Sequence, residues 1–395
     1  MNAERSAGLA QTLLLLAGSC LPVLGAVLLA PVLPSMQAHF TDTPGAAVLV
    51  IIALTLPALM IALLAPVAGI LADRLGRRPL LLGAMVLYSV CGLLPIWLES
   101  LPAIVASRAG IGLAEAAIMT CCTALMGDYY SGARRERLFA LQMVATSLSA
   151  TVFIALGGVL GEHGWRAPFG LYAVGLLMLP LMAYWLWEPQ TATATVQGTR
   201  PVTHVFPWGK LAPAYFLAAM AGISLFVVPV QSSHLLNLLH IDSPQQIGMT
   251  MGANQLGVLL GSLAFPLLAR RRPQYLLALA FILAGCGGWL MAVASTHMQL
   301  VIAVTINGLG VGLMIPTLLT WIMNQVTFSQ RGHAAGGFTS AFFAGEFASP
   351  LIVLAIVGGA KVELTTALLL LASVQALVAL ACMAAGFTAR RTLTN

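Results

Sequence analysis

Charge is scarce in this chain: Asp, Glu, Lys and Arg make up 8% of its 395 residues, against 59% apolar residues and a mean hydropathy of +0.95. That scarcity excludes an ordinary water-soluble domain, in which roughly a quarter of the residues are charged. Cysteine is sparse as well. Cys20, Cys91, Cys121, Cys122, Cys286 and Cys382 all fall in apolar runs, without paired spacing or a CxxC, so neither disulfides nor a structural metal is expected. The adjacent Cys121 and Cys122 read as small packing residues. No GxSxG, HExxH, Walker A or GxGxxG string stands in a suitable context. An enzyme, ATP-driven transport by this chain and a bound cofactor are therefore not expected. No basic stretch interleaves with aromatics, so the formal net charge of +6 is no argument for nucleic acid.

What the chain has is apolar runs almost end to end. A helix needs about 20 apolar residues to cross a hydrocarbon core of roughly 30 Å, and only helices or closed barrels satisfy the backbone in lipid. The runs lack the period-two alternation of barrel strands. An all-α polytopic membrane protein in a lipid bilayer is expected, with spans at 11–35, 45–72, 79–98, 102–128, 137–160, 167–187, 209–235, 245–269, 274–295, 298–326, 334–358 and 362–387. The first run is too long for a signal-peptide core, only Arg5 precedes it, and no small-residue cleavage site appears before Pro31. It is expected to stay as the first span.

Of the 18 Lys and Arg residues, all but Arg108, Arg166 and Lys361 fall at the two termini or in the loops after even-numbered spans. The positive-inside rule then places both termini in the cytoplasm. A polar stretch from Glu188 to Lys210, with Thr191, Thr193, Thr195, Gly198 and Pro201, divides the chain nearly in half. Arg77-Arg78-Pro79 after the second span recurs as Arg271-Arg272-Pro273 after the eighth. The expected organisation is a six-helix bundle over 1–187, a connector over 188–208 and a second six-helix bundle over 209–395, around a central cavity. Repeated halves that rock about a midplane site are a transporter arrangement.

Gly69-Ile-Leu-Ala-Asp73-Arg74-Leu-Gly76-Arg77-Arg78 lies at the end of the second span and in the loop after it. Gly69 suits close helix approach, Gly76 a tight reversal, and Asp73 can hold the flanking arginines, a cluster able to latch two bundles. The string resembles the GxLaDrxGrr signature of the major facilitator superfamily. Leu24-Gly25 followed by Ala30-Pro31-Val32-Leu33-Pro34 is similar to the LG…PvlP element of twelve-span drug:proton antiporters. The resemblance implies two six-helix bundles, with spans 1, 2, 4, 5, 7, 8, 10 and 11 around the cavity. It also implies that Asp128 joins Asp73 and Arg77. Arg108-Ala-Gly110-Ile-Gly112-Leu-Ala-Glu115 is similar to the RxxxG signature of the fourth span, which in the family is associated with proton coupling. Where antiporters often carry GxxxGPxxGG in the fifth span, this chain has Gly157-Gly158-Val-Leu-Gly161 and no Gly-Pro pair. Gly164-Trp165-Arg166-Ala-Pro168-Phe169 resembles a turn common across the superfamily and carries no information on direction.

Three charges lie deep in expected spans: Arg108, Glu115 and Glu346. An ionised group at the bilayer centre costs at least about 2.5–3.5 kcal/mol, so each should face a cavity or a partner. Glu115 follows Arg108 by seven residues, on nearly the same helix face and roughly 10 Å along, too far for a direct pair. Either Glu115 exchanges a proton while Arg108 tunes it, or the two form a strut that orients the helix. Glu346 precedes Pro350, which frees a backbone carbonyl. It is either a binding or coupling group or a carboxyl that merely holds a helix.

Gln231, Asn254, Gln255 and Asn307 are weaker candidates for substrate contact, as are His234, Asn237 and Asn324; interhelical glue is the competing role. Phe226, Phe342 and Phe343 suit packing or a lipophilic cavity. The expected partners are a small-molecule substrate, protons and lipid, and nothing demands a second chain, so a monomer would suffice. Efflux of a lipophilic or cationic compound in exchange for protons leads. Proton symport of a small organic anion or metabolite on Arg108, and a non-transporting membrane sensor, are the alternatives.

Overall fold

The computed structural model describes residues 7–189, 206–327, 330–360 and 363–391. Most of the expected connector, together with Arg5 and Lys361, lies outside the described residues. No strand occurs among those described, and twelve helical segments are long and apolar enough to cross a membrane. They are α1 (Leu9–Val27) continued by α2 (Leu33–His39), then α3 (Ala46–Leu75), α4 (Arg77–Leu93), α5 (Leu101–Tyr129), α6 (Gly132–Gly161), α7 (Ala173–Trp185), α8 (Trp208–Leu238), α9 (Pro244–Leu268), α10 (Pro273–Val293), α11 (His297–Met323), α12 (Arg331–Ala360) and α13 (Leu364–Arg391).

Proline shapes several of them. The first span breaks after Val27 into a 3-10 turn, Ala30–Val32, before α2 begins. Pro31 and Pro34 explain the break, since neither donates the amide an uninterrupted helix needs. Proline also sits inside α3 (Pro57, Pro66), α8 (Pro213, Pro229) and α12 (Pro350). Each leaves the carbonyl four residues earlier without its helical partner, namely Ala53 for Pro57 and Glu346 for Pro350. Gly76, at φ +92°, makes the reversal between α3 and α4 in a region that L side chains rarely adopt.

The halves α1–α7 and α8–α13 meet unevenly. On the face away from the termini one apolar core runs through both. There Leu28, Val32 and Ile154 share a cluster with Phe226, Leu236, Ile247 and Val304. The backbones touch there as well: a Cβ on Gly158 of α6 would lie 2.6 Å from the Pro244 carbonyl oxygen of α9, and one on Gly248 would lie 2.9 Å from that of Ile154. On the termini face the second half keeps its own core, including Leu211, Phe281, Leu318 and Phe338, with no first-half member. The molecule is thus sealed on one face and parted at the helix ends on the other, while deeper in Phe343 of α12 packs on Ile61, Ala68 and Ala116 of the first half.

Candidate functional site

Arg108 is fully buried in α5. Its Nε donates to the Ala53 carbonyl at 2.9 Å, the one left free by Pro57. One terminal nitrogen donates to the Tyr172 hydroxyl, and the other to the Gly25 carbonyl in the last turn of α1. The last four carbonyls of a helix lack helical partners, so the guanidinium satisfies two orphaned acceptors at once. It sits 5.7 Å from the Tyr172 ring centroid, and that ring packs on Tyr88 at 5.1 Å. Gly112 lets α5 reach this position, because a Cβ there would lie 2.7 Å from the Pro57 Cα. Arg108 therefore braces α1, α3 and the turn before α7 against α5, and among the described residues no carboxylate pairs with it.

Glu115 is also fully buried, and neither carboxyl oxygen has a hydrogen-bond partner. Its side chain occupies the space that a Cβ on Gly25 would need. Gly25 thus stands between the two charges, its carbonyl held by Arg108 and its bare Cα covered by the Glu115 carboxyl. Glu346 of α12 is buried with Oε2 unpartnered, beside a close α8–α12 crossing at Gly222 and Gly345. Two carboxyls, one from each half, are thus buried with oxygens that have no hydrogen-bond partner.

The weaker candidates separate into two pairs. Asn254 donates to the Val304 carbonyl at 2.7 Å and to Asn307 Oδ1 at 3.4 Å, while Asn307 donates to the Ala284 carbonyl at 3.1 Å. These amides tie α9, α10 and α11 together. Gln231 and Gln255 are buried, and their side chains make no hydrogen bond among the described residues. His234 is half-buried.

At the end of α3, Arg77 forms an ion pair with Asp128 and approaches Asp73 at 3.5 Å. Glu188 accepts the backbone amides of Arg77 and Arg78 at 2.8 and 2.7 Å, which caps α4. Arg78 donates to the Ala183 carbonyl at 2.6 Å. Two expectations, the latch and the close approach at Gly69, are not met in this conformation. The cluster lies wholly in the first half and latches no second bundle among the described residues. Gly69 has no atom within 4 Å of a would-be Cβ, so no helix approaches it closely. Both follow from the parting of the halves on this face.

Sequence reasoning missed Tyr172, Tyr88, Glu188 and Glu162. Glu162 follows α6, and its Oε1 accepts the Ser243 hydroxyl at 2.6 Å and the Gln245 amide at 3.1 Å, which bridges to the start of α9 on the sealed face. These two donors hold its carboxyl below the usual carboxylate range. The missed partners are all long-range, and no local pattern marks them. Only the prolines, by naming orphaned carbonyls, signalled that acceptors awaited a donor.

Twelve spans in two six-helix halves, closed on one face over buried carboxyls, define a membrane transporter. The chain belongs to the Major Facilitator Superfamily, whose family model matches residues 15–350. It is 34% identical over 159 residues to the tetracycline resistance protein, class C, of Escherichia coli, a match covering 39% of each chain. It is 25% identical over 201 residues to the 3-(3-hydroxy-phenyl)propionate transporter of Escherichia coli (strain K12), covering 50% of each. These matches span half the length of those relatives or less. A longer match, 25% identical over 349 residues, is to the tetracycline resistance protein, class D, of Salmonella ordonez, covering 84% of this chain and 86% of that one. Among solved structures, a D-xylose-proton symporter superposes with a TM-score of 0.75 at 14% identity, over 94% of this chain and 96% of that chain.

Proposed function

We propose that this transporter exports a small lipophilic or cationic compound in exchange for protons, by alternating access across a cell inner membrane, with both termini in the cytoplasm. The observation that carries the reading is the state of the buried charges. Three carboxyl oxygens on Glu115 and Glu346 have no hydrogen-bond partner. Arg108, the one fully buried cation among the described residues, has all three nitrogens engaged. An isolated buried charge is costly, so each carboxyl needs a proton or a cation beside it. Proton and cationic substrate then compete for the same oxygens, which is the elementary requirement of exchange. Similarity to tetracycline resistance proteins supports a drug as the exported compound.

In this account the parted face admits substrate from the termini side, with Gln231 and Gln255 as further polar contacts. The bundles, taken as 1–187 and 209–395 with 188–208 between them, then rock as units. Arg108 keeps α5 in register with α1 and α3, so that the Glu115 carboxyl stays against Gly25. The cluster of Asp73, Arg77, Asp128 and Glu188 ties the ends of α3, α4, α5 and α7 together, so the first bundle moves as one body. Arg74 and Arg78 flank it, and Gly76 provides the reversal. Gly69 lies on a surface free to meet the second bundle when this face closes.

Uptake of a small organic anion by proton symport is the second reading, favoured by similarity to the 3-(3-hydroxy-phenyl)propionate transporter. It requires Arg108 to release an acceptor and leave an orphaned carbonyl behind. Flux in sealed proteoliposomes carrying an internal pH dye separates the readings, with a lipophilic-cation panel and an aryl carboxylate as substrates. Cation movement opposite to protons, lost in Glu115→Gln or Glu346→Gln, is the expected result. Carboxylate movement with protons establishes symport, and no gradient-dependent flux of any substrate points to a non-transporting sensor.

A further inference from the structure

We propose that the groove between α3 and α4 is a binding site for an anionic diacyl phospholipid of the leaflet on the termini face, with an acyl chain in the groove and the phosphate on Arg74. The groove has a volume of about 480 Å³, and its floor is α5. Val67, Leu71, Leu80, Gly83, Leu87 and Leu113 line it, and every other lining residue is apolar as well. Val67, Leu71 and Leu113 are exposed, so the groove opens sideways, at a depth where the solvent is hydrocarbon.

Its length and its ends select the occupant. From Leu64 to Leu75 the α3 wall runs roughly 16 Å at the helical rise, close to half of a hydrocarbon core of about 30 Å. That is the depth of one leaflet. The groove stops at Leu75 and Pro79, where the loop between α3 and α4 closes it at the termini face. Arg74 follows Val67 and Leu71 on the same helical stripe, at i+7 and i+3. It is exposed and makes no ion pair or hydrogen bond among the described residues, whereas neighbouring Arg77 is paired with Asp128 and Asp73. An apolar slot of one leaflet's depth ending in an unpaired arginine fits one chain and one phosphate of a lipid. A free phosphate has no use for the slot, and a neutral lipid has less use for the arginine. Basic side chains beside a span draw anionic lipid from the leaflet they face. The site is independent of substrate and transport direction, and its test reads no transport.

The full chain carrying Leu71→Trp is reconstituted in phosphatidylethanolamine bilayers containing a minor fraction of brominated phosphatidylglycerol or brominated phosphatidylcholine, and quenching is read against the parent protein. The expected result is an apparent preference for phosphatidylglycerol of about fivefold, the worth of one arginine at the surface. The preference falls to parity in Arg74→Gln, returns in Arg74→Lys and persists in Arg135→Gln, an exposed charge elsewhere on the same face. Gly83→Phe, which projects into space empty within 4 Å of its Cβ, reduces quenching by both lipids. Val67→Trp replaces the reporter if Leu71→Trp does not fold. Equal quenching by the two lipids, a preference that survives Arg74→Gln, or full competition by inorganic phosphate overturns the proposal.

Discussion

Where the two halves could meet, glycine marks the sealed and the parted face differently. On the face away from the termini, Gly158 and Gly248 bring α6 and α9 into backbone contact, and Glu162 bridges to the start of α9. On the termini face, Gly69 and Gly336 have nothing within 4 Å of a would-be Cβ, and the second half keeps a core of its own that meets the first half through Phe343. A missing side chain that is filled by a neighbour marks a contact already made. One that is left open marks a surface without a neighbour in this conformation. The difference points to alternation, in which contacts are exchanged between faces while each bundle keeps its interior.

The strongest way to break the sealed face is Gly158→Leu. Its side chain has no room beside Pro244 and Gly248, and overpacking of this kind costs roughly 1–3 kcal/mol. Spin-pair distances across this face should lengthen, and transport should fall by about tenfold or more. An unchanged distance distribution would mean that α6 and α9 yield without parting. Asp128→Asn acts on the other face. It removes the ion partner of Arg77, and exposed pairs contribute roughly 0–1 kcal/mol to stability. Turnover should fall severalfold with little change in thermal unfolding; equal losses in both would make the cluster a folding element only.

Glu162→Gln sharpens the comparison through pH. With its folded value below the ordinary one, the carboxylate contributes fully above the usual glutamate range near 4.5, and the contribution is lost as pH falls through the folded value. Acidification from neutrality to about pH 5 should therefore leave the Glu162 bridge intact. The glutamine variant should show, already at neutral pH, a modest rise in modification of a cysteine placed at the exposed Gln246, which leaves the Ser243 hydroxyl in place. The smallest effect on stability is expected for Gly69→Ala. It meets no neighbour in this conformation and gains up to about 1 kcal/mol of helix preference. Slower turnover in a protein of equal or greater stability would mark Gly69 as a contact of the opposite state.

All twelve spans were legible in the sequence because apolar length is a local property, and the observed boundaries fall within a few residues of those expected. The break of the first span into α1, a 3-10 turn and α2 escaped, since apolar length carries straight through Pro31 and Pro34. The positions of Arg108, Glu115 and Glu346 stood out because charge in a span is rare. Their partners did not. Arg108 meets Ala53 and Gly25 through backbone carbonyls and Tyr172 through a hydroxyl 64 residues away, and no periodicity encodes such contacts. The expected close approach at Gly69 is absent from this conformation for a related reason: a glycine permits contact, and the conformation decides whether a neighbour is there. Of the amides, Asn254 and Asn307 are committed to neighbouring helices while Gln231 and Gln255 are not, a distinction that only packing makes.

The most direct test of the central claim, that Glu115 and Glu346 are the groups through which protons drive alternation, is a pair of spin-label distances followed against pH. Labels at Ser100 and Ser295 report on the sealed face, and labels at Ser131 and Asn324 on the parted one. In the otherwise unaltered protein the two distances should change in opposite directions over the same pH interval, and in the Glu115→Gln, Glu346→Gln double variant neither should respond. A pH-dependent exchange of faces that persists in the double variant would contradict the account.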